Sequence, residues 1–580
     1  MQNPTSHFLS VLKTYDTTKL KKDMVAGITV AVMLIPQGMA YAMLAGLPPI
    51  YGLYAGLLPL FIYPFLGSSH QLSVGPVALV SILVLSGLGQ IAEPGSEKFI
   101  ELAILTAVIS GIIQVVLSVF RLGFLVKFLS DAVLTGFTSA AAIIISFSQI
   151  KNILGLELDR STSILSMAEN LLWHIDETNF YSFILGITGL VLLLVIKKLN
   201  RSFPTALVLL VLGTLAVAFF ELDQKGVAIL GAVPPGLPNF VMPDFSLASI
   251  QSIFSLSIII CLLSFIESLA IAKTIAARHN HYPINANQEL LALGISKIAG
   301  GFFQAYPTTG SFTRSAINDS AGAQTGVASI FAAILVGITL MFFSSSVYYL
   351  PKAILGAIIF SAVLGLINVP KIKFYYQTSK HDFWVMVFTF VTTLLFGIQN
   401  GMIVGILLSI SYILHRTSKP FYAILGNLEG TNVFRNVERF PEAKEREDLL
   451  IIRFDAAIYF GNASYLREII WTEIRIRAIK PTYLVLDFSS IPSIDATGLQ
   501  TFAQIVEELD LAEINLILTN VLGPTRDRLT SSGLMDKIGA QNQFLINKDA
   551  YTFTLNPHAR SAIKMKYATQ TEQKNDGGHF

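Results

Sequence analysis

The sequence predicts a polytopic α-helical membrane protein that ends in a small α/β domain, and three observations predict it. Hydrophobic residues make up 53% of the 580-residue chain and charged residues only 13%, against roughly a quarter charged in soluble domains, with a mean hydropathy of +0.62. Apolar segments fill the chain from about Met24 to His415, after which the composition changes. Arg314 stands between long apolar stretches. A full charge there is costly unless it lines water, pairs with a carboxylate or holds an anion.

Residues 1–23 are polar and place Lys13, Lys19, Lys21 and Lys22 just ahead of the first apolar run. That pattern predicts a cytoplasmic start and not a cleavable signal. Apolar runs then predict spans near 24–45, 49–66, 71–88, 101–120, 124–148, 180–197, 203–220, 250–273, 287–304, 309–322, 326–346, 352–368, 382–398 and 400–415. Fourteen spans put both termini inside, and the loops after even-numbered spans carry the positive charge: Arg121 and Lys127, Lys197, Lys198 and Arg201, Arg278, Lys371, Lys373 and Lys380, then Arg416 and Lys419. The opposite loops are leaner in Lys and Arg and include the acidic stretches Glu93 to Glu101 and Asp176-Glu177. The transmembrane region is read as residues 24–416.

Two spans, beginning near Ser73 and Thr309, are too short to cross roughly 30 Å of hydrocarbon as plain helices. They come third in each half of seven and are rich in Gly, Ser, Thr and Pro, as Ser73-Val-Gly-Pro-Val-Ala78 and Thr308-Thr-Gly-Ser-Phe-Thr-Arg314. Halves of seven spans must run in opposite senses through the membrane. Interrupted segments at corresponding places in two halves point to a transport site. The plainer alternative is that these glycines only allow close helix packing.

A soluble α/β domain is read over residues 431–557. Leu449 to Phe454 forms a strand, Asn462 caps a helix that buries Leu466, Ile470 and Ile474, and Pro481 to Asp487 and Ile514 to Thr519 form further strands. Helices follow from about Ala496 and around Thr525 to Thr530, giving a mixed or parallel sheet. Residues 558–580 are polar and read as a disordered tail.

The chain resembles the sulfate permease (SulP) family of anion transporters over nearly its full length. The resemblance is carried by Ala26-Gly-Ile-Thr-Val-Ala-Val-Met-Leu-Ile-Pro-Gln-Gly-Met-Ala-Tyr41, Ser73-Val-Gly-Pro-Val-Ala78, Ile266-Glu-Ser-Leu-Ala-Ile-Ala-Lys273 and Thr309-Gly-Ser-Phe-Thr-Arg-Ser-Ala316. Leu486-Asp-Phe-Ser-Ser-Ile-Pro-Ser-Ile-Asp-Ala-Thr-Gly498 resembles the family's STAS domain. The resemblance implies two inverted seven-span repeats, a core domain moving against a gate domain, and a homodimer. It also implies a substrate site between the short third and tenth spans, aided by the first and eighth. Residue by residue it selects Gln37, Tyr41, Ser73, Val74, Gly75, Glu267, Thr309, Gly310, Ser311, Phe312, Arg314 and Ser315.

A doubly charged, strongly hydrated oxoanion needs its water replaced by oriented donors. Amides near Val74–Gly75 and Ser311–Phe312 at two converging helix ends are expected to supply them, with hydroxyls of Ser73, Ser311 and Ser315 and the charge of Arg314. Gln37 is expected to donate through its amide, with Pro36 breaking the first helix nearby. Burial favours the neutral form of Glu267, whereas a near Arg314 favours the ionised one. A switch is expected: ionised Glu267 pairs with Arg314 and competes with the anion, and protonation frees the arginine, so proton and anion travel together. The alternative is a static salt bridge between two helices. The stretches around both residues most resemble plant-type proton-coupled sulfate carriers.

Thr497 matches the position phosphorylated in anti-sigma-factor antagonists, although capping the helix is the simpler role for it. His279 and His281 lack a third ligand and read as part of a solvated loop. Lone Cys261 excludes an intrachain disulfide and argues against a cysteine metal site, and no metal or cofactor is expected. The net charge of +2 offers nucleic acid no basic tract. No nucleophile, nucleotide or metal constellation points to an enzyme. The expected function is proton-coupled sulfate symport across a cytoplasmic (inner) membrane. Sodium-coupled bicarbonate transport, C4-dicarboxylate transport, an anion channel or motor, and an anion sensor are the competing readings.

Overall fold

The computed structural model describes residues 15–124, 130–158, 164–199, 205–231, 236–279, 282–342 and 348–556. Lys13, Lys127, Arg201, His281, the side chains of Lys197 and Lys198, and the 558–580 tail lie outside the described residues. The chain divides into two compact units between Ile410 and Ser411.

The first unit is helical. Its first half runs α1 (Thr17–Leu44), α2 (Ile50–Ala55), α3 (Leu58–Leu66), a two-residue strand β1 (Val74–Gly75), α4 (Ala78–Leu88), α5 (Glu97–Val119), α6 (Asp131–Leu154), α7 (Ile164–Trp173), α8 (Phe180–Leu199) and α9 (Thr205–Phe220). Its second half runs α10 (Leu247–Ala276), α11 (Ala286–Phe302), β2 (Thr309–Gly310), α12 (Phe312–Ser320), α13 (Val327–Phe342), α14 (Lys352–Leu364), α15 (Val369–Thr378), α16 (Lys380–Phe396) and the first part of α17 (Ile398–Ser418), within which the division falls. Both halves thus carry a short strand and a short helix after their opening helices. Among the described residues, Thr17–Leu44, Glu97–Val119, Asp131–Leu154, Leu247–Ala276, Lys352–Thr378 and Asn400–Ser418 are long and apolar enough to cross a membrane. Shorter apolar helices such as Thr205–Phe220 expose large side chains, Leu212, Leu215 and Phe219 among them. Such a greasy outer face suits lipid.

In the first unit two sequence expectations need correction. Pro36 does not end the first helix, because α1 continues through it to Leu44. The proline removes one backbone donor, and the turns on either side carry the helix onward. The 49–66 span is broken at Gly56-Leu57 into α2 and α3, with Pro59 in the first turn of the second piece, where its missing N–H does no harm. The break lets α2 pack hard on α1: a Cβ on Gly52 would lie 1.9 Å from the Gly38 carbonyl oxygen.

Buried carboxylates tie distant segments together. Asp23 accepts from the Gln324 N–H at 2.7 Å, the Thr325 N–H at 3.1 Å and the Thr325 hydroxyl at 2.5 Å. Glu289 accepts from the Tyr63 hydroxyl and from the Ser68 N–H and hydroxyl, each at 2.7 Å, which anchors the loop leading into β1.

The second unit carries a seven-stranded mixed sheet in the order β4 (Phe434–Asn436), β3 (Tyr422–Leu428), β6 (Leu449–Phe454), β7 (Tyr483–Asp487), β8 (Asn515–Thr519), β9 (Gln543–Phe544), with β5 (Ala443–Lys444) also on β3. Strands β6 to β9 are parallel and β3 runs against β6. The sheet therefore starts at Tyr422, ahead of residue 431. Helices α18 (Ala463–Ile476), α19 (Ala496–Leu511), α20 (Gly523–Ser531), α21 (Leu534–Ile538) and α22 (Asn547–Leu555) cover it, and Leu466, Ile470 and Ile474 are buried. Asn462 stands at the α18 N-cap position but makes no side-chain cap bond. Its side chain turns back, accepting from the Tyr459 N–H at 3.0 Å and donating to Ala457 O at 2.9 Å.

Candidate functional site

Two extended segments cross at the centre of the first unit. Strands β1 and β2 pair antiparallel, with Val74 opposite Gly310 and Gly75 opposite Thr309. The Ser311 N–H donates to Ser73 O at 2.9 Å, and the Ser73 N–H donates to the Ser315 hydroxyl at 2.9 Å. Immediately beyond the crossing, α4 starts after Val77 and α12 after Ser311. Two helix N-termini, each with partial positive charge, therefore flank one short antiparallel ladder, one at each end of it.

Arg314 lies in the first turn of α12 and is fully buried, at 0% exposure. Its Nη1 donates to Pro76 O at 2.8 Å, while Nε and Nη2 have no hydrogen-bond partner. Gly75 makes this approach possible: a Cβ there would stand 3.1 Å from Nη2. Glu267 on α10 is near enough for its charge to act on Arg314. Among the described residues, however, the two form no ion pair, and Glu267 Oε2 is buried without a partner. Neither the paired state nor the static salt bridge expected from the sequence is present: the partner of the guanidinium among the described residues is the Pro76 carbonyl.

The structure brings other expected residues to the crossing but gives several of them different work. Gln37 and Tyr41 are buried on α1, with Gln37 Oε1 unpartnered and Tyr41 close enough to interact with Arg314 and Glu267. The Ser73 hydroxyl is buried and unpartnered. The Ser311 hydroxyl is the N-cap of α12, accepting from the Arg314 N–H at 3.4 Å, and its own amide is held by Ser73 O. The Gly310 N–H donates to the Ser268 hydroxyl at 2.8 Å. Thr309 turns its hydroxyl onto Ser264 O at 2.8 Å, and Ser315 is held by the Ser73 amide. Phe312 is 56% exposed. The expected amide donors at Val74–Gly75 and Ser311 thus shift along the chain. Val74 and Gly75 belong to a strand, and the first helix end is at Ala78, where no side chain caps it.

Two residues at the crossing carry no assignment from the sequence. Tyr306 is buried and hydrogen-bonds Ser81 at 2.9 Å, and it lies near Tyr41 and Arg314. The unpartnered Thr308 hydroxyl is the other. Their signal was position alone, next to Pro307 in the run that ends at Arg314. Uncommitted polar atoms of Gln37, Ser73, Glu267, Thr308 and Arg314 are a concentration that burial penalises at about 1–3 kcal/mol each unless a ligand satisfies them.

In the second unit Asp495, and not Thr497, caps α19, accepting from the Gly498 N–H at 2.7 Å. Thr497 is exposed in the first turn. Asp487 accepts from the Ser489 N–H and from the Asn520 and Asn547 side chains, which explains it structurally. His279 lies against Asp319, whose other oxygen is 3.6 Å from Arg278.

The sulfate permease family model matches residues 20–389 and the STAS domain model residues 440–548. The chain belongs to the sulfate permease family. It is 36% identical to sulfate transporter 4.1, chloroplastic, of Arabidopsis thaliana, covering 97% of this chain and 84% of that protein. It is 33% identical to high affinity sulfate transporter 1 of Stylosanthes hamata, covering 92% and 84%. The murine Slc26a9 anion transporter in its inward-facing state superposes with a TM-score of 0.87 at 25% identity, covering 94% of this chain and 93% of that one. The transmembrane domain of the cyanobacterial bicarbonate transporter BicA shares the fold alone, with a TM-score of 0.59 at 20% identity over 68% of this chain and 98% of that domain. The member described here is thus a multi-pass membrane protein of a permease family with a C-terminal STAS domain.

Proposed function

We propose that this protein is a secondary active carrier that moves sulfate together with protons across the cytoplasmic membrane by alternating access, without enzymatic activity. The observation that carries the reading is Arg314: a buried guanidinium with two nitrogens free of protein partners, in the first turn of α12 and bonded to the backbone just ahead of α4. A dianion between α4 and α12 would meet that fork, the α4 amides and the Ser73 hydroxyl. The names of its relatives support sulfate as the dianion. On this reading Gln37, Tyr41 and the strand residues Val74, Gly75, Thr309 and Gly310 would surround the anion, with Ser311, Phe312 and Ser315 setting the α12 end.

Glu267 is proposed as the proton carrier. Ionised, it opposes an incoming dianion and balances Arg314, so the empty core crosses the membrane with no net charge from the two groups. Protonated, it leaves Arg314 to the anion. Fourteen spans in two inverted repeats, a homodimer and both termini in the cytoplasm complete the reading. Exposed Thr497 is the position where a phosphate would meet the α19 N-terminal amides.

The test is uptake of labelled sulfate into proteoliposomes with and without an inward proton gradient, with bicarbonate, fumarate and chloride as competitors. Saturable uptake driven by the gradient and undiminished by those competitors supports the proposal. Gradient-independent uptake, or stronger competition by bicarbonate or fumarate, overturns it, and large uncoupled anion currents would identify a channel.

A further inference from the structure

Lys297 lies on α11 with 1% of its surface exposed, and its amine donates to the Ser264 hydroxyl on α10. No carboxylate lies within ion-pair range of it among the described residues. A cation so placed is expensive to bury, and a neutral donor would serve one hydroxyl equally well. Ser264 is one of two residues, with Ser268, through which α10 holds β2. Its hydroxyl also accepts from Gln114 Nε2 at 3.0 Å and gives its own proton to Cys261 O at 3.2 Å. The amine must therefore be the donor. Ser264 O accepts from the Thr309 hydroxyl at 2.8 Å, so at the 3.0 Å contact between Thr309 and Ser268 it is Ser268 that donates. Ser268 in turn accepts from the Gly310 N–H. The chain runs in one direction: Gly310 amide, Ser268, Thr309, Ser264.

We propose that Lys297 is a positioning residue for the anion site: by pinning Ser264 it fixes the register of Thr309–Gly310 against Val74–Gly75, and so the origin of α12 and Arg314. The proposal rests on the anion-carrier reading above, and the experiment separates the two.

Lys297→Met, Lys297→Arg and Ser264→Ala are compared with wild type by sulfate uptake, thermal unfolding in detergent, and hydrogen–deuterium exchange of the peptide spanning residues 308–312. Lys297→Met is expected to raise KM about tenfold with the maximum rate within about twofold. Exchange at 308–312 should speed up, and the unfolding midpoint should hold or rise because a buried amine with no carboxylate beside it is gone. Lys297→Arg should restore most of the affinity. Ser264→Ala should give the same KM rise, and the double variant no more than either single one. Unchanged KM and unchanged exchange in Lys297→Met overturn the proposal. So does a fall in midpoint with KM intact, which marks a purely structural lysine. Wild type that takes up no sulfate overturns the substrate reading instead, and the exchange measurement still decides the relay.

Discussion

Arg314 Nη1 donates to the carbonyl oxygen of Pro76 at 2.8 Å, so a side chain from the second half of the membrane unit is fastened to the backbone that launches the first half's short helix. This bond adds to the β1–β2 ladder and the Ser73 contacts that hold the two segments together. It also aims the remaining guanidinium nitrogens away from protein acceptors. The arginine binds the two half-sites together and leaves a charged face uncommitted.

Replacing Arg314 should therefore do more than remove a charge. Arg314→Lys keeps the charge as a compact point but loses the planar fork, so Pro76 and the anion are no longer served by separate nitrogens held in fixed geometry. Sulfate KM is expected to rise roughly a hundredfold in Arg314→Lys, about 2.7 kcal/mol, and uptake should vanish in Arg314→Met. Saturable uptake with unaltered KM in either variant would remove the arginine from the site.

Gly75→Ala tests the close approach. The added Cβ stands 3.1 Å from Arg314 Nη2, tighter than ordinary contact. Since β1 is an extended segment, the alanine backbone is not strained. The guanidinium must give way instead. Sulfate affinity should fall about tenfold, roughly 1.4 kcal/mol, while expression and thermal midpoint change little. The measurement is concentration-dependent uptake beside an unfolding curve.

What the sequence makes legible here is set by cost. A charge in an apolar run is expensive, so Arg314 and Glu267 stand out, and Gly and Pro mark where helices must stop at Ser73–Pro76 and Pro307–Gly310. Lys297 and Glu289 send the same signal inside the span read at 287–304, but with no helix break beside them the sequence does not tie them to the site. The partners of hydroxyls are not legible. Ser311 caps, Thr309 turns to α10 and Ser268 takes the Gly310 amide because of how α10 crosses β2, a tertiary fact with no local trace. In the second unit the alternation of strands and buried helix faces reads directly. Which of Asp495 and Thr497 caps α19 does not, since both residue types cap well.

Asp23 offers a test of assembly apart from transport. Its carboxylate is fully buried and receives the Gln324 and Thr325 amides and the Thr325 hydroxyl, joining the start of α1 to the turn before α13. Asp23→Ala leaves those donors unmatched and should destabilise the membrane unit by about 3 kcal/mol. Asp23→Asn keeps an acceptor and should lose less. Fluorescence-detected unfolding in detergent distinguishes them, and equal midpoints for all three proteins would show the network to be idle.

Glu267→Gln isolates the proton. The glutamine keeps the size and hydrogen-bonding capacity of a protonated glutamate but cannot release a proton, so the variant is fixed in the state proposed to accept the anion. Sulfate binding should remain within a few-fold of wild type, since Arg314 and the α4 terminus are untouched. Wild-type uptake should rise as the outside is acidified, because outside protonation of Glu267 admits the anion and inside release lets the empty carrier return. Uptake by Glu267→Gln should be flat across the same pH range and unresponsive to an imposed proton gradient. Exchange of internal for external sulfate should persist, because exchange needs no empty return. If the variant still accumulates sulfate against its gradient when protons are driven inward, the coupling proton rides on another group, and the buried neighbours Tyr41 and Tyr306 become the next residues to replace.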